Sequence, residues 1–175
     1  MRKVPDADTV IIACFDDTGL DAARCCTDAP VIGISEAAFH MASLIAGKFS
    51  VVTTLSRSIP AIEHNLVRYG LAGCCARVRA SEVPVLELER PGSGARGKIS
   101  SEIHLAIEAD GAEAIVLGSA GMADLAQALA VEHRLPVIDG VTAAVKLAEG
   151  LVELGLKTSK RGGYTGLMSQ LSPAG

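Results

Sequence analysis

The chain alternates short apolar runs with longer stretches of helical periodicity. Residues 9–13 (Thr-Val-Ile-Ile-Ala) are rich in β-branched side chains and predict a buried strand. Asp17-Thr18-Gly19 breaks that run, and residues 20–26 read as a helix. A second strand is expected at 31–34. Ser35 then stands as the N-cap of a helix over 36–46, with Gly47 as its stop. Residues 50–54 form a strand that ends in hydroxyls. A helix over 59–69 follows, with Pro60 in its first turn and Gly70 beyond its end. Shorter strands are expected at 75–79 and 83–89, and the glycine-rich stretch 90–98 is expected to be flexible. Helix, strand, helix, strand and helix then follow at 99–110, 114–117, 123–132, 137–138 and 142–149. The tail, 157–175, reads as loop, partly ordered at best. Strands alternating with helices at this spacing predict βαβ units and a mostly parallel sheet.

One motif occurs twice. Thr9-Val-Ile-Ile-Ala-Cys14, followed by a turn with Gly19, matches Ala114-Ile-Val-Leu-Gly-Ser119, followed by a turn with Gly121. Pro30-Val31-Ile32 with Ala37-Ala38 matches Pro136-Val137-Ile138 with Ala143-Ala144. Two similar half-domains facing each other would place Cys14 and Ser119 on opposite sides of one cleft. In parallel sheets, ligands sit beyond the carboxyl ends of the strands, and Cys14, Thr53, Thr54, Ser119 and Asp139 all fall at such ends.

Composition narrows the classes. The 175 residues are 49% apolar but only 3% aromatic, with no tryptophan. The interior must therefore be aliphatic, as in parallel strands covered by helices. Few aromatics and a net charge of −4 argue against a nucleic-acid surface. No apolar run is long enough for a membrane span. The first six residues lack a signal-peptide core, so a cytoplasmic location is expected. The five cysteines include two adjacent pairs, and none has metal-ligand spacing, so a reduced compartment and no metal are expected. High apolarity points to a homo-oligomer.

The strand-end residues carry the candidate chemistry. Cys14 is a thiolate base or nucleophile, or else a core cysteine. Ser119 is a nucleophile, a hydrogen-bond donor or a turn residue; Gly118-Ser119-Ala120-Gly121 is one residue short of a hydrolase elbow. Of Asp16 and Asp17, one can cap the next helix while the other orients substrate or tunes Cys14. Asp139 can position substrate or brace the halves. Thr53, Thr54 and Ser56 offer hydroxyls suited to a carboxylate or an imide. The segment 92–98 misses a phosphate loop, because Ile99 stands where a Ser or Thr is needed.

Ala13-Cys14-Phe15-Asp16-Asp17-x-Gly19-Leu20-Asp21, Pro30-Val31-Ile32-Gly33, Val116-Leu117-Gly118-x-Ala120-Gly121-Met122 and Leu135-Pro136-Val137-Ile138-Asp139-Gly140-Val141 together resemble the hydantoin racemase branch of the aspartate/glutamate racemase superfamily, near the allantoin racemases. The resemblance implies an α/β fold of two pseudo-symmetric lobes with mostly parallel sheets and the active site in the cleft between them. It places residues 1–47 and 141–175 in the first lobe and 48–140 in the second. It implies cofactor-independent racemisation of a hydantoin-type ring by two cysteines, with Cys14 as the first and Ser119 at the position of the second. The implied substrate-contacting set is Phe15, Asp16, Ser35, Thr53, Thr54, Gly118, Ala120 and Gly121, the amides of Phe15 and Ala120 facing the substrate carbonyls. The partner implied is a small molecule, allantoin or another hydantoin.

The sequence departs from the family pattern twice. Serine is a weaker acid than cysteine, so Ser119 should bind substrate but impair turnover; it fits either an engineered trap or a natural divergence. Only 13 residues precede Cys14, where family chains carry a further strand, loop and helix. A first lobe lacking that strand should expose a sheet edge and apolar surface. A one-cysteine decarboxylase or isomerase of small diacids, and a non-catalytic ligand-binding relative, are the alternatives.

Overall fold

Six short strands form among the described residues, and every pairing between them is parallel. The computed structural model describes residues 7–88 and 90–166. In the smaller sheet β1 (Val10–Ile12) pairs with β2 (Val31–Gly33). The larger sheet has the order β4-β3-β5-β6, built from β3 (Phe49–Thr53), β4 (Cys75–Ala80), β5 (Ala114–Gly118) and β6 (Val137–Asp139). The helices are α1 (Leu20–Cys26), α2 (Ile34–Ile45), α3 (Ile59–Arg68), α4 (Val85–Leu88), α5 (Ala95–Asp110), α6 (Ala126–His133) and α7 (Gly140–Glu153). Two 3-10 turns, Ser56–Ser58 and Ala120–Leu125, precede α3 and α6.

β3 and β5 are buried along their whole length, as parallel strands covered on both faces must be. Alternation along them divides the core. Val51 and Val116 face one cluster with Phe15, Phe39 and Phe49, while Val52 and Leu117 face the other with Ile99, Ile103 and Leu129. α2 and α7 pack together through small residues: Ala37, Ala38 and Ala42 on one, Ala143, Ala144 and Ala148 on the other. Each of these two helices touches both sheets. Their first turns meet most closely. A Cβ built on Gly140 would lie 2.5 Å from the Ile34 carbonyl oxygen.

Three expectations are corrected. Residues 83–89 do not form a strand. Pro84 cannot donate to a ladder, and its fixed φ suits a helical start. The Glu87 N–H closes that turn on the Pro84 carbonyl at 2.9 Å, and α4 results; Glu89 lies outside the described residues. The stretch 90–98 is only partly loop, because α5 begins at Ala95, whose side chain is buried and whose N–H donates to Ser93 Oγ at 3.2 Å. The helix expected over 36–46 starts two residues earlier, at Ile34.

The tail to residue 166 lies against the α1 end of the molecule. The Thr158 N–H donates to the Asp28 carbonyl at 2.9 Å, Lys160 Nζ to the Arg24 carbonyl at 2.5 Å, and the Arg24 guanidinium sits 5.6 Å from the Tyr164 ring centroid. Residues 167–175, the rest of the expected loop, lie outside the described residues. Among the described residues β1 has a neighbour on one side only, and an apolar groove lined by Ile11, Val145, Ala148 and Val152 runs beside it.

The contact at Gly140 yields a paired test. Gly140→Ala should destabilise the fold by about 1–3 kcal/mol, because backbone must move to admit the methyl. Gly150→Ala, in the same helix with no atom within 4 Å of the new methyl, should instead stabilise by about 0.5–1 kcal/mol. Urea unfolding of both variants checks the contrast.

Candidate functional site

β1 delivers the chain to Cys14, which is exposed, and then to Phe15, which is buried edge-on against Phe39 with ring centroids 5.7 Å apart. The chain turns at once. The Asp17 N–H donates to the Cys14 carbonyl at 2.9 Å, and Asp17 adopts a left-handed conformation with φ 49°. Asp is among the few residues that tolerate this region.

That turn aims the Asp17 carboxylate inward, where it is 2% exposed. It accepts from the Ser35 N–H at 3.2 Å, the Glu36 N–H at 3.0 Å, the Ser35 hydroxyl and the Tyr69 hydroxyl at 2.7 Å. Asp17 therefore caps α2 from a distant loop, and an anion at a helix N-terminus is favoured by the dipole. The residue at the formal N-cap is Gly33, and a Cβ there would fall 2.3 Å from the Asp17 carboxylate. Ser35 is accordingly not the N-cap that its sequence position suggested. It sits in the first turn, fully buried, with its hydroxyl committed to Asp17. Burial and the bond to Asp17 push the Tyr69 hydroxyl well above the ordinary tyrosine pKa. Asp16 is half-buried, and its carbonyl accepts from Asn65 Nδ2 at 2.9 Å.

The second motif repeats the turn. β5 delivers Ser119, half-buried and extended, and the Met122 N–H donates to the Ser119 carbonyl at 3.1 Å. This is the same three-residue bond that joins Cys14 and Asp17. Met122 occupies the position of Asp17 and is fully buried. The counterpart of α2 in this half, α7, is capped by its own Asp139, whose Oδ1 accepts from the Thr142 N–H at 2.7 Å. Asp139 thus acts as a cap here.

Thr53 and Gly118 are paired across β3 and β5, so the hydroxyl-bearing strand end lies beside the Ser119 turn. The Thr53 hydroxyl is buried and donates to the Gly118 carbonyl at 3.0 Å, which turns it away from solvent. Thr54 is 6% exposed, and its hydroxyl has no partner among the described residues. Gly121 is exposed and flanked by Leu88 and Val85 of α4. The structure thus gathers Cys14, Phe15, Asp16 and Ser35 around one turn, and Thr53, Thr54, Gly118, Ser119, Ala120 and Gly121 around the other. Phe15 and Ala120 rest on the same core cluster. Among the described residues no group of three or more His, Cys, Asp or Glu is placed to hold a metal.

Sequence reasoning missed Asn65 and Tyr69. They stand four apart near the end of α3, and both reach the Cys14 turn. The available signal was a tyrosine next to a helix stop in a chain with only two.

Two matching turns at the carboxyl ends of parallel strands, each presenting a protic side chain, stand where open α/β sheets bind their ligands. Residues 2–148 match the family model for Asp/Glu/Hydantoin racemase, and the chain is a member of that family. It is 51% identical to a hydantoin racemase of Rhizobium meliloti over 157 residues, covering 90% of this chain and 65% of that protein. It is 46% identical to a hydantoin racemase of Pseudomonas sp. strain NS671 over 153 residues, covering 87% and 61%. It therefore spans less than two thirds of the length of these curated relatives. Among solved structures, the allantoin racemase from Klebsiella pneumoniae superposes with a TM-score of 0.90 at 48% identity, covering 97% of this chain and 69% of that one.

The raised Tyr69 pKa gives a pH test. The folded state holds the phenolic proton more tightly than the unfolded chain does. Its contribution is fully present below about pH 10, the ordinary tyrosine value, and is lost as pH rises beyond it. Cys75, pushed up by burial to about 11, acts with the same sign from its ordinary value upward. Urea midpoints measured from pH 9 to 11.5 should fall, and Tyr69→Phe should flatten the part of that fall above pH 10 while leaving the Cys75 part in place.

Proposed function

We propose that this chain binds a hydantoin-type ring, allantoin or a 5-substituted hydantoin, and that Cys14 and Ser119 occupy the two positions of a cofactor-independent proton transfer at C5. The observation that carries this reading is the matched pair of turns. Each follows a parallel strand, each is closed by the same three-residue hydrogen bond, and each presents a protic side chain, Cys14 on one and Ser119 on the other. The names of the relatives support the same substrate class.

In this reading the Cys14 thiolate removes the C5 proton from one face. Negative charge then spreads onto the neighbouring ring carbonyl, where preorganised N–H groups stabilise it. The Phe15 N–H donates to no described group, and Ala120 opens a 3-10 turn, so its N–H lacks an intrahelical acceptor. Both are available to an oxyanion. Reprotonation from the opposite face falls to Ser119, and a hydroxyl is a much weaker acid and base than a thiol. Turnover is therefore slow in this chain while binding is retained.

Ser119→Cys should raise C5 epimerisation by roughly 10²–10⁴-fold, the usual contribution of one general acid–base group, and Cys14→Ala should abolish it. Chiral chromatography of (S)- and (R)-allantoin, corrected for spontaneous racemisation, reads both. An unchanged rate in Ser119→Cys would sink the two-base assignment. Binding without turnover in that variant would favour a non-catalytic ligand-binding protein, and release of carbon dioxide from a malonate-type diacid would favour a one-cysteine decarboxylase.

A further inference from the structure

α3 belongs to the same half of the chain as Ser119, yet it grips the turn that carries Cys14. Three residues near its end reach across. Asn65 Nδ2 donates to the Asp16 carbonyl at 2.9 Å, the Tyr69 hydroxyl donates to the Asp17 carboxylate at 2.7 Å, and Arg68 forms an ion pair with Asp21. Asn65 and Tyr69 are four apart, so they lie on one face of the helical turn. Asn65 is 5% exposed, and the only hydrogen bond its side chain makes among the described residues is the one to Asp16. A buried amide spent on one loop carbonyl fixes that peptide plane, and with it the direction in which the preceding residues emerge. The Tyr69 hydroxyl fixes the other end of the same turn through Asp17. At its opposite end α3 begins directly after Ser56–Ser58, the turn that follows the hydroxyls of Thr53 and Thr54. One rigid helix therefore spans the hydroxyl-bearing loop and the Cys14 loop.

We propose that Asn65 and Tyr69 are positioning residues for Cys14: together they set the turn on which the thiol stands. The inference deepens the reading above where it concerns turnover, but its central test does not depend on that reading.

The test is the rate at which iodoacetamide alkylates Cys14, followed by peptide mass spectrometry, in native protein and in protein unfolded in urea. A thiol held by its turn reacts natively at a rate that departs from the unfolded reference. In Tyr69→Phe and in Asn65→Asp, which keeps the shape but loses the donor, the native-to-unfolded ratio should move toward one by at least threefold. Ile103→Val, a core change remote from the turn and matched by its loss of Tm, should leave the Cys14 ratio unaltered. Asn65→Gln, which restores a donor, should recover part of the parent ratio. Where C5–H exchange of a hydantoin in D2O is measurable, Tyr69→Phe should lower kcat about tenfold for the enantiomer that exchanges, with KM within twofold.

A parent ratio of one, or ratios in both variants within error of the parent, would overturn the proposal. So would an equal response from Ile103→Val, because that would make the effect one of general stability. Altered ratios with no hydantoin exchange in any variant would uphold the positioning role and count against the proposed substrate instead.

Discussion

The buried carboxylate of Asp17 is the constraint on which the Cys14 side depends. It lies at 2% exposure, and no cation pairs with it among the described residues. Its charge is balanced by four donors: two amides at the start of α2, the Ser35 hydroxyl and the Tyr69 hydroxyl. Charge-assisted bonds of this kind are roughly twice as strong as neutral ones, and losing them inside a protein leaves several buried donors without an acceptor. The neighbouring sequence is shaped by that requirement. Residue 33 must lack a side chain, residue 35 must be small and carry a hydroxyl, and residue 69 must reach across from α3. Arg24 adds an outer brace, donating to the Val31 carbonyl at 3.1 Å and to Glu36 at 2.6 Å.

The second motif meets the same geometric need with different chemistry. Met122 replaces the carboxylate and is buried among apolar side chains, while α7 is capped by Asp139 within its own chain segment. Apolar packing is weakly directional, whereas a carboxylate with four donors admits one orientation. The two turns share a backbone bond but differ in how firmly they are oriented. The strict one carries the exposed thiol.

Much of this was legible in the sequence because strand ends and helix stops are local signals. The short apolar runs located all six strands to within one residue at either end, and the doubled motif located both turns. The failures are non-local. Ser35 looked like an N-cap because Ser before Glu is a common local pattern, yet its partner is 18 residues upstream. The segment 83–89 carried alternating apolar residues, but Pro84 and the turn it starts outweighed them. Thr53 was legible as a strand-end hydroxyl; that it spends this hydroxyl on Gly118 follows only from the register of β3 with β5. Tyr69 offered only its place beside a helix stop and Asn65 offered no pattern, since their meaning lies in a loop about 50 residues away.

In the proton transfer proposed above, the separation of the two groups matters as much as their identity. Neither turn sets that separation by itself. Each turn hangs from a strand whose neighbour leads into a helix of the central pair, β2 into α2 and β6 into α7. Those helices meet where Gly140 lies against the Ile34 carbonyl, too close for any side chain. A bulkier residue there would spread the two halves and carry both turns apart without touching either. Displacements of about 1 Å are enough to lose much of a catalytic advantage that rests on orientation. The placement of one turn relative to the other therefore rests on a helix–helix contact between residues with no chemistry of their own.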